Sequence, residues 1–133
     1  MTSKTIAMAV ITAAALPLAA CTAEADRTRE VRAPAVEVVG QPVSCILTSR
    51  IRNQAVHDDY TIDFELTGGD IYRNTLPARC PQLGFEERFA HSSSTGQLCS
   101  VDVITVLDSD GRRGASCGLG QFVPVRYSAA AAD

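Results

Sequence analysis

The sequence lacks most of the features that announce an activity. Its only adjacent basic pair is Arg112-Arg113. Proteins that hold nucleic acid by displacing counterions concentrate Lys or Arg on one face, so no nucleic-acid partner is expected. No CxxC spacing occurs, and the cysteines at 45, 80, 99 and 117 stand 35, 19 and 18 positions apart, which argues against a four-thiolate zinc site. No SxxK pattern occurs and no GxSxG elbow frames Ser92-Ser93-Ser94 beside His91, the arrangements that present a serine nucleophile to its base. Asp108-Ser109-Asp110-Gly111 begins like a calcium loop but is not followed by the later ligands or the closing Glu, so it reads as a hairpin turn. No cofactor fingerprint and no long helical period is found, and no cofactor, metal or catalytic residue is assigned.

What is present begins at the N-terminus. After Lys4 the chain is uncharged from Thr5 to Ala20, with Ile6, Val10, Ile11, Leu16 and Leu18 as its apolar content, the layout of a signal peptide. A spanning helix takes about 20 predominantly apolar residues, and this run is shorter, Ala-rich and interrupted by Pro17. It ends in Leu18-Ala19-Ala20-Cys21, which resembles the lipobox of bacterial lipoproteins. Small residues at 19 and 20 let an extended backbone lie in a protease cleft, and the Cys21 thiol takes a diacylglyceryl group as a thioether. The competing reading is an ordinary secretory signal with a cysteine at its boundary. Two or three acyl chains, palmitate among them, anchor strongly, since each buried methylene contributes roughly 0.8 kcal/mol. In proteobacterial lipoproteins an Asp after the lipidated cysteine favours inner-membrane retention; Thr22 stands there, so the resemblance implies the periplasmic face of the outer membrane, with the inner membrane or secretion as fallback.

Cleavage at Cys21 leaves 113 residues with eleven Arg against fifteen Asp plus Glu, a formal charge of −4. That length fits one small domain and a tether. Residues 1–20 are thus the signal, and 21–43 a lipidated N-terminus and flexible tether, because TAEADRTREVRAPAVEVVGQPV mixes charge and proline with no sustained apolar face. Val36, Val38 and Val39 are the one place in it where a strand could begin. A β domain is expected over 44–127 and a frayed, Ala-rich tail over 128–133.

With Cys21 taken by lipid, an even set of four cysteines remains, and in an exported chain this points to two disulfides. Four cysteines allow three pairings that sequence does not separate. The preferred one joins Cys80 with Cys99, closing a local loop, and Cys45 with Cys117, tying the domain ends together. Each bridge contributes roughly 2–4 kcal/mol to a domain with a limited core.

Residues 60–66 alternate, Tyr60, Ile62, Phe64 and Leu66 against Thr61, Asp63 and Glu65, as a half-buried strand does. Gly68-Gly69 can supply the positive φ values of a hairpin turn, and residues 70–76 read as the return strand. Residues 101–107 suit a central strand, followed by a turn over 108–114. Shorter strand candidates are 45–51, 88–92, 115–117 and 121–125, with Pro124 suggesting an edge. The expected fold is mainly β, a small antiparallel barrel or sandwich with two disulfides.

Taken together, Cys45, Ile51-Arg52, Asp58-Asp59, Thr61-Ile62, Phe64, Tyr72-Arg73-Asn74, Leu76, Cys80-Pro81, Cys99, Asp102 and Cys117 to Gly120 before Phe122 resemble a family of small proteobacterial lipoproteins that carry a domain of unknown function. The resemblance implies no activity.

Two polar groups are the candidate binding residues. His57, Asp58 and Asp59 could serve as a general base or hold a cation, although Asp before a strand more often makes a local turn. Tyr72, Arg73 and Asn74 on the return strand could present a guanidinium and an amide to an anion, or Arg73 could pair across the sheet with Asp63 or Glu65. His91-Ser92-Ser93-Ser94 reads as a polar loop. The expectation is a lipid-anchored, non-enzymatic interaction module meeting a periplasmic protein, peptidoglycan or a membrane complex. The alternative is a small hydrolase or cation-dependent protein built on His57, Asp58, Asp59 and Arg73.

Overall fold

The structure, a computed structural model, describes residues 32–129. The signal peptide, Cys21 and the end of the tail lie outside the described residues.

The chain folds as a sandwich of antiparallel strands and not as a closed barrel. One layer is a five-stranded sheet ordered β1 (Val36–Val38), β10 (Phe122–Tyr127), β5 (Ile71–Thr75), β4 (Thr61–Leu66), β3 (Ile51–Val56). The other is built from two smaller pieces, β2 (Cys45–Leu47) with β7 (Gln97–Cys99), and β6 (Phe89–His91), β8 (Val103–Leu107) and β9 (Arg113–Gly118). The only α-helix among the described residues is the four-residue α1, Leu83–Glu86.

The alternation of β4 places Ile62, Phe64 and Leu66 on its inner face, where they meet Ile46 of β2, Leu98 of β7, Ile104 and Val106 of β8 and Leu83 of α1. Phe64 stacks edge-on against Phe122 at 5.5 Å and Phe89 at 6.3 Å between ring centroids. Each such side chain contributes about 1.5–3 kcal/mol by leaving water, and together they hold the two layers to each other. The β4–β5 hairpin turns through Gly68 and Gly69 at φ +103° and +93°, a region L-residues avoid, so the Gly-Gly pair is required there.

Three expectations are corrected. The disulfides join Cys45 to Cys99 and Cys80 to Cys117, not Cys80 to Cys99 and Cys45 to Cys117. Burial of Ile46 and Leu98 sets the β2–β7 register, which puts Cys45 directly opposite Cys99. Cys80, fully buried, then meets Cys117 on the inner face of β9.

The tether does not extend to residue 43. Val36, Val38 and the chain between them pair with Val125–Tyr127 as β1, and Val43 bridges Phe122. At the other end Ser128 donates from both its backbone N–H and its hydroxyl to the Ala35 carbonyl, so the residue read as the start of the tail is tied in.

Pro124 does not mark an edge, because β10 lies between β1 and β5. Val39 donates to the Pro124 carbonyl, and the reciprocal bond, which proline cannot give, falls where β1 has just ended. Residues 40–42 loop out there before Val43 rejoins β10, so the proline sits at an irregularity in the ladder.

Candidate functional site

Asp63 sits in the middle of β4 on the face away from the apolar core, and only 2% of it is exposed. The antiparallel register puts Arg73 of β5 directly across from it. Arg73 makes a two-pronged pair, Nε to Oδ1 and Nη2 to Oδ2, both at 2.8 Å. His57, just past the end of β3, brings Nε2 to 2.8 Å from Oδ2, and the Tyr127 hydroxyl of β10 donates to the same oxygen at 2.9 Å. One carboxylate on β4 thus gathers groups from β5, β10 and the β3–β4 turn.

A cover closes over this cluster. The remaining Arg73 nitrogen, Nη1, donates to the Pro34 carbonyl at 2.9 Å, and Arg32 Nη2 donates to the Gly84 carbonyl at 3.3 Å. Residues 32–35, read from sequence as tether, therefore form a strap across the outer face of the sheet. Arg32-Ala33-Pro34-Ala35 gives no periodic signal, because the strap is held through its own carbonyls and one guanidinium.

The electrostatics follow from the geometry. Burial pushes the Asp63 carboxyl up, but the hydrogen bonds and charge of Arg73, with the bonds to His57 and Tyr127, outweigh it and hold the pKa below the usual 3.8. The hydrogen bond and charge of Asp63 outweigh burial at Arg73 and raise its pKa. Burial, then the bond to the Asp63 carboxylate, pushes the Tyr127 hydroxyl up to about 12.

The residues singled out from sequence divide between this cluster and other duties. His57 and Arg73 converge, as the hydrolase alternative requires, but on Asp63 and not on Asp58 or Asp59. Asp58 makes the local turn, its Oδ1 accepting the Tyr60 N–H at 2.8 Å, while its buried Oδ2 has no hydrogen-bond partner. Asp59 accepts the Gly84 N–H at 2.9 Å through Oδ1 and binds Arg79 through Oδ2, so it fastens α1 to the start of β4. Asn74, fully buried, both donates to and accepts from the backbone of Gly120. A Cβ at Gly120 would collide with the Thr75 carbonyl, so this clasp needs both residues.

Tyr72 lines a shallow surface cavity of about 270 Å³ with Val39, Asp70, Pro124 and Arg126. In the Asp108 turn, Oδ1 accepts the N–H groups of Asp110 and Arg112, so that oxygen closes the hairpin. Ser93 likewise binds within its own loop, to Thr95 and Gln97. Sequence reading missed Tyr127 and Pro34 as members of the cluster. The alternation put Asp63 on the polar face of the strand with Thr61 and Glu65, where nothing distinguished it from Glu65 as the partner of Arg73.

No family model, no curated protein and no solved structure matches this chain.

Proposed function

We propose that this chain is a lipid-anchored protein of the cell envelope whose disulfide-stapled β domain works as a non-enzymatic interaction module. The address rests on the lipobox-like Leu18-Ala19-Ala20-Cys21 and on Thr22, which favour the periplasmic face of the outer membrane. The resemblance to small proteobacterial lipoproteins supports the same address.

The single observation that favours a binding role over catalysis is the saturation of Asp63. Its two oxygens take Arg73 twice, His57 and Tyr127, and the Arg73 guanidinium is shared between Asp63 and the Pro34 carbonyl. A carboxylate so engaged, with Arg73 holding both its oxygens, has little capacity left to take a proton or to bind a further ligand. Contact with a partner is better served by the β1 side of the sheet, where Val38 and Val39 are 64% and 50% exposed and Val39 lines the shallow cavity. Convergence of His57 and Arg73 is what favours the hydrolase alternative, which needs the cluster to open before it could act.

Mass spectrometry of membrane-extracted protein is expected to find an acylated N-terminal Cys21, lost in Cys21→Ser. Crosslinking in intact envelopes is expected to recover the same protein partner repeatedly, with Val38→Asp reducing its yield. Unmodified protein beginning elsewhere defeats the address. An unchanged envelope phenotype in Val38→Asp, together with its loss in His57→Ala, turns the reading toward the alternative.

A further inference from the structure

Phe85 lies within α1 and is 80% exposed, an unusual position for a large aromatic ring two residues from the fully buried Leu83. It lies beside the point where the N-terminal strap meets the domain, since Arg32 donates to the carbonyl of the preceding residue, Gly84. Arg79, whose side chain is 64% exposed, is held at the same place through Asp59, the acceptor for the Gly84 N–H. Glu86 and Glu87 follow the ring in the chain, and Arg32 and Arg79 stand on its Gly84 side; with that side turned to the boundary between headgroups and acyl chains, the ring enters the apolar side and the cations stay at the phosphates.

We propose that the face carrying Phe85, Arg32 and Arg79 lies against the bilayer in which the Cys21 lipid is anchored. The proposal rests on the lipid anchor proposed above and commits the orientation of the domain. Ten residues separate Cys21 from Arg32, and fully extended chain covers at most about 3.6 Å per residue, so the lipid stays within roughly 40 Å of Arg32. A domain of this size is about 30–35 Å across, and half its girth is roughly 50 Å by the same scaling. Bringing the opposite side to the membrane takes more chain than that. The Phe85 side is therefore the one the anchor draws down, and the ring adds a second, weaker attachment to the lipid.

The chain contains no tryptophan, so Phe85→Trp makes a single fluorescent reporter at an exposed position. Thr67→Trp, exposed in the turn at the far end of β4 from Asp59, is the matched control, roughly 20 Å away along the strand. Both full-length lipidated proteins are reconstituted in vesicles of phosphatidylethanolamine and phosphatidylglycerol, with acylation of Cys21 verified by mass spectrometry. Emission from the indole of Phe85→Trp is expected to shift to shorter wavelength relative to the same variant made soluble by Cys21→Ser, to be quenched by brominated acyl chains and to lose quenching by aqueous iodide. The indole of Thr67→Trp is expected to change in none of these. Acylated, vesicle-bound Phe85→Trp whose indole stays as solvated as in the soluble form, or shifts no more than that of Thr67→Trp, overturns the orientation and leaves the anchor standing. Absence of the acyl group at Cys21 overturns both.

Discussion

Ile62 and Phe64 on one face of β4 and Thr61 and Asp63 on the other are withdrawn from solvent to nearly the same degree, yet the two burials have different causes. The inner face is covered because apolar side chains of β2, β7, β8 and α1 leave water against it. The outer face is covered because one carboxylate collects Arg73, His57 and Tyr127, and Arg73 in turn holds the strap by the Pro34 carbonyl. Apolar burial is non-directional and tolerates many partners. The polar side works only if each donor reaches its acceptor, because an unpaired buried charge costs far more than a lost apolar contact.

The sharpest test of that contrast substitutes neighbouring residues. Phe64→Ala is expected to lower stability by about 3–5 kcal/mol through the cavity it leaves. Asp63→Ala is expected to cost about 3–5 kcal/mol as well, because it strands the Arg73 guanidinium. Urea unfolding of both variants measures this, and a cost near zero for Asp63→Ala would show that the outer face is a bystander. Tyr72→Ala, on the inner face but half-buried, should fall well below Phe64→Ala.

Removing the strap is a smaller insult. A mature chain beginning at Val36 leaves Arg73 without the Pro34 carbonyl and Ser128 without that of Ala35, and a loss of about 1–3 kcal/mol is expected from unmet donors. Amide exchange should rise at the ends of β1 and β10 while the β2–β7 ribbon is unaffected. Uniform loosening would instead mean that the strap belongs to the core's cooperative unit.

Acid separates the faces without mutation. The folded pKa of Asp63 lies below its unfolded value near 3.8, so its contribution is complete above that pH and is lost as pH falls through the lower, folded value. Acid unfolding of the parent protein should include this loss, and Asp63→Asn should show a flatter pH dependence below about 4.

Tyr127 supplies the smallest effect. Tyr127→Phe removes one partly exposed hydrogen bond to a charged group, about 1 kcal/mol at neutral pH. The hydroxyl's folded pKa is raised from 10.0 to about 12, so its contribution is whole below pH 10 and is lost as pH rises toward 12. The parent should therefore lose stability across that interval and Tyr127→Phe should lose less. Equal alkaline slopes would remove Tyr127 from the network.

Local patterns were legible from sequence where they act over a few residues. Alternation over residues 60–66 located β4 and its inner face, Gly68-Gly69 the hairpin, and the one-residue-to-one pairing of that hairpin already made Asp63 a cross-strand partner open to Arg73. The β-branched run at 101–107 marked the central strand of the smaller sheet, which begins two residues later and covers Val103–Leu107. Edge strand β3 was missed because its residues 52–54 are exposed, so no alternation of burial is written into it. The disulfide pairing was missed because sequence proximity favours Cys80 with Cys99, whereas register decides which thiols face each other.

By itself the sequence determined that the described part is a β domain carrying four cysteines, with β4 and β5 as a hairpin and one face of β4 turned to an apolar core. Those outcomes depend on side-chain alternation, glycine's access to positive φ and the parity of cysteines, all readable within short windows or by counting. Only the tertiary structure decided that Cys45 meets Cys99, that residues 32–35 cover the sheet and that Asp63 is enclosed. Its partners lie 6, 10 and 64 positions away, and the cover that encloses it binds Arg73 across 39 positions through a backbone carbonyl. A carbonyl is common to every residue, so nothing in the identity of Pro34 or its neighbours marks the contact before the sheet has formed.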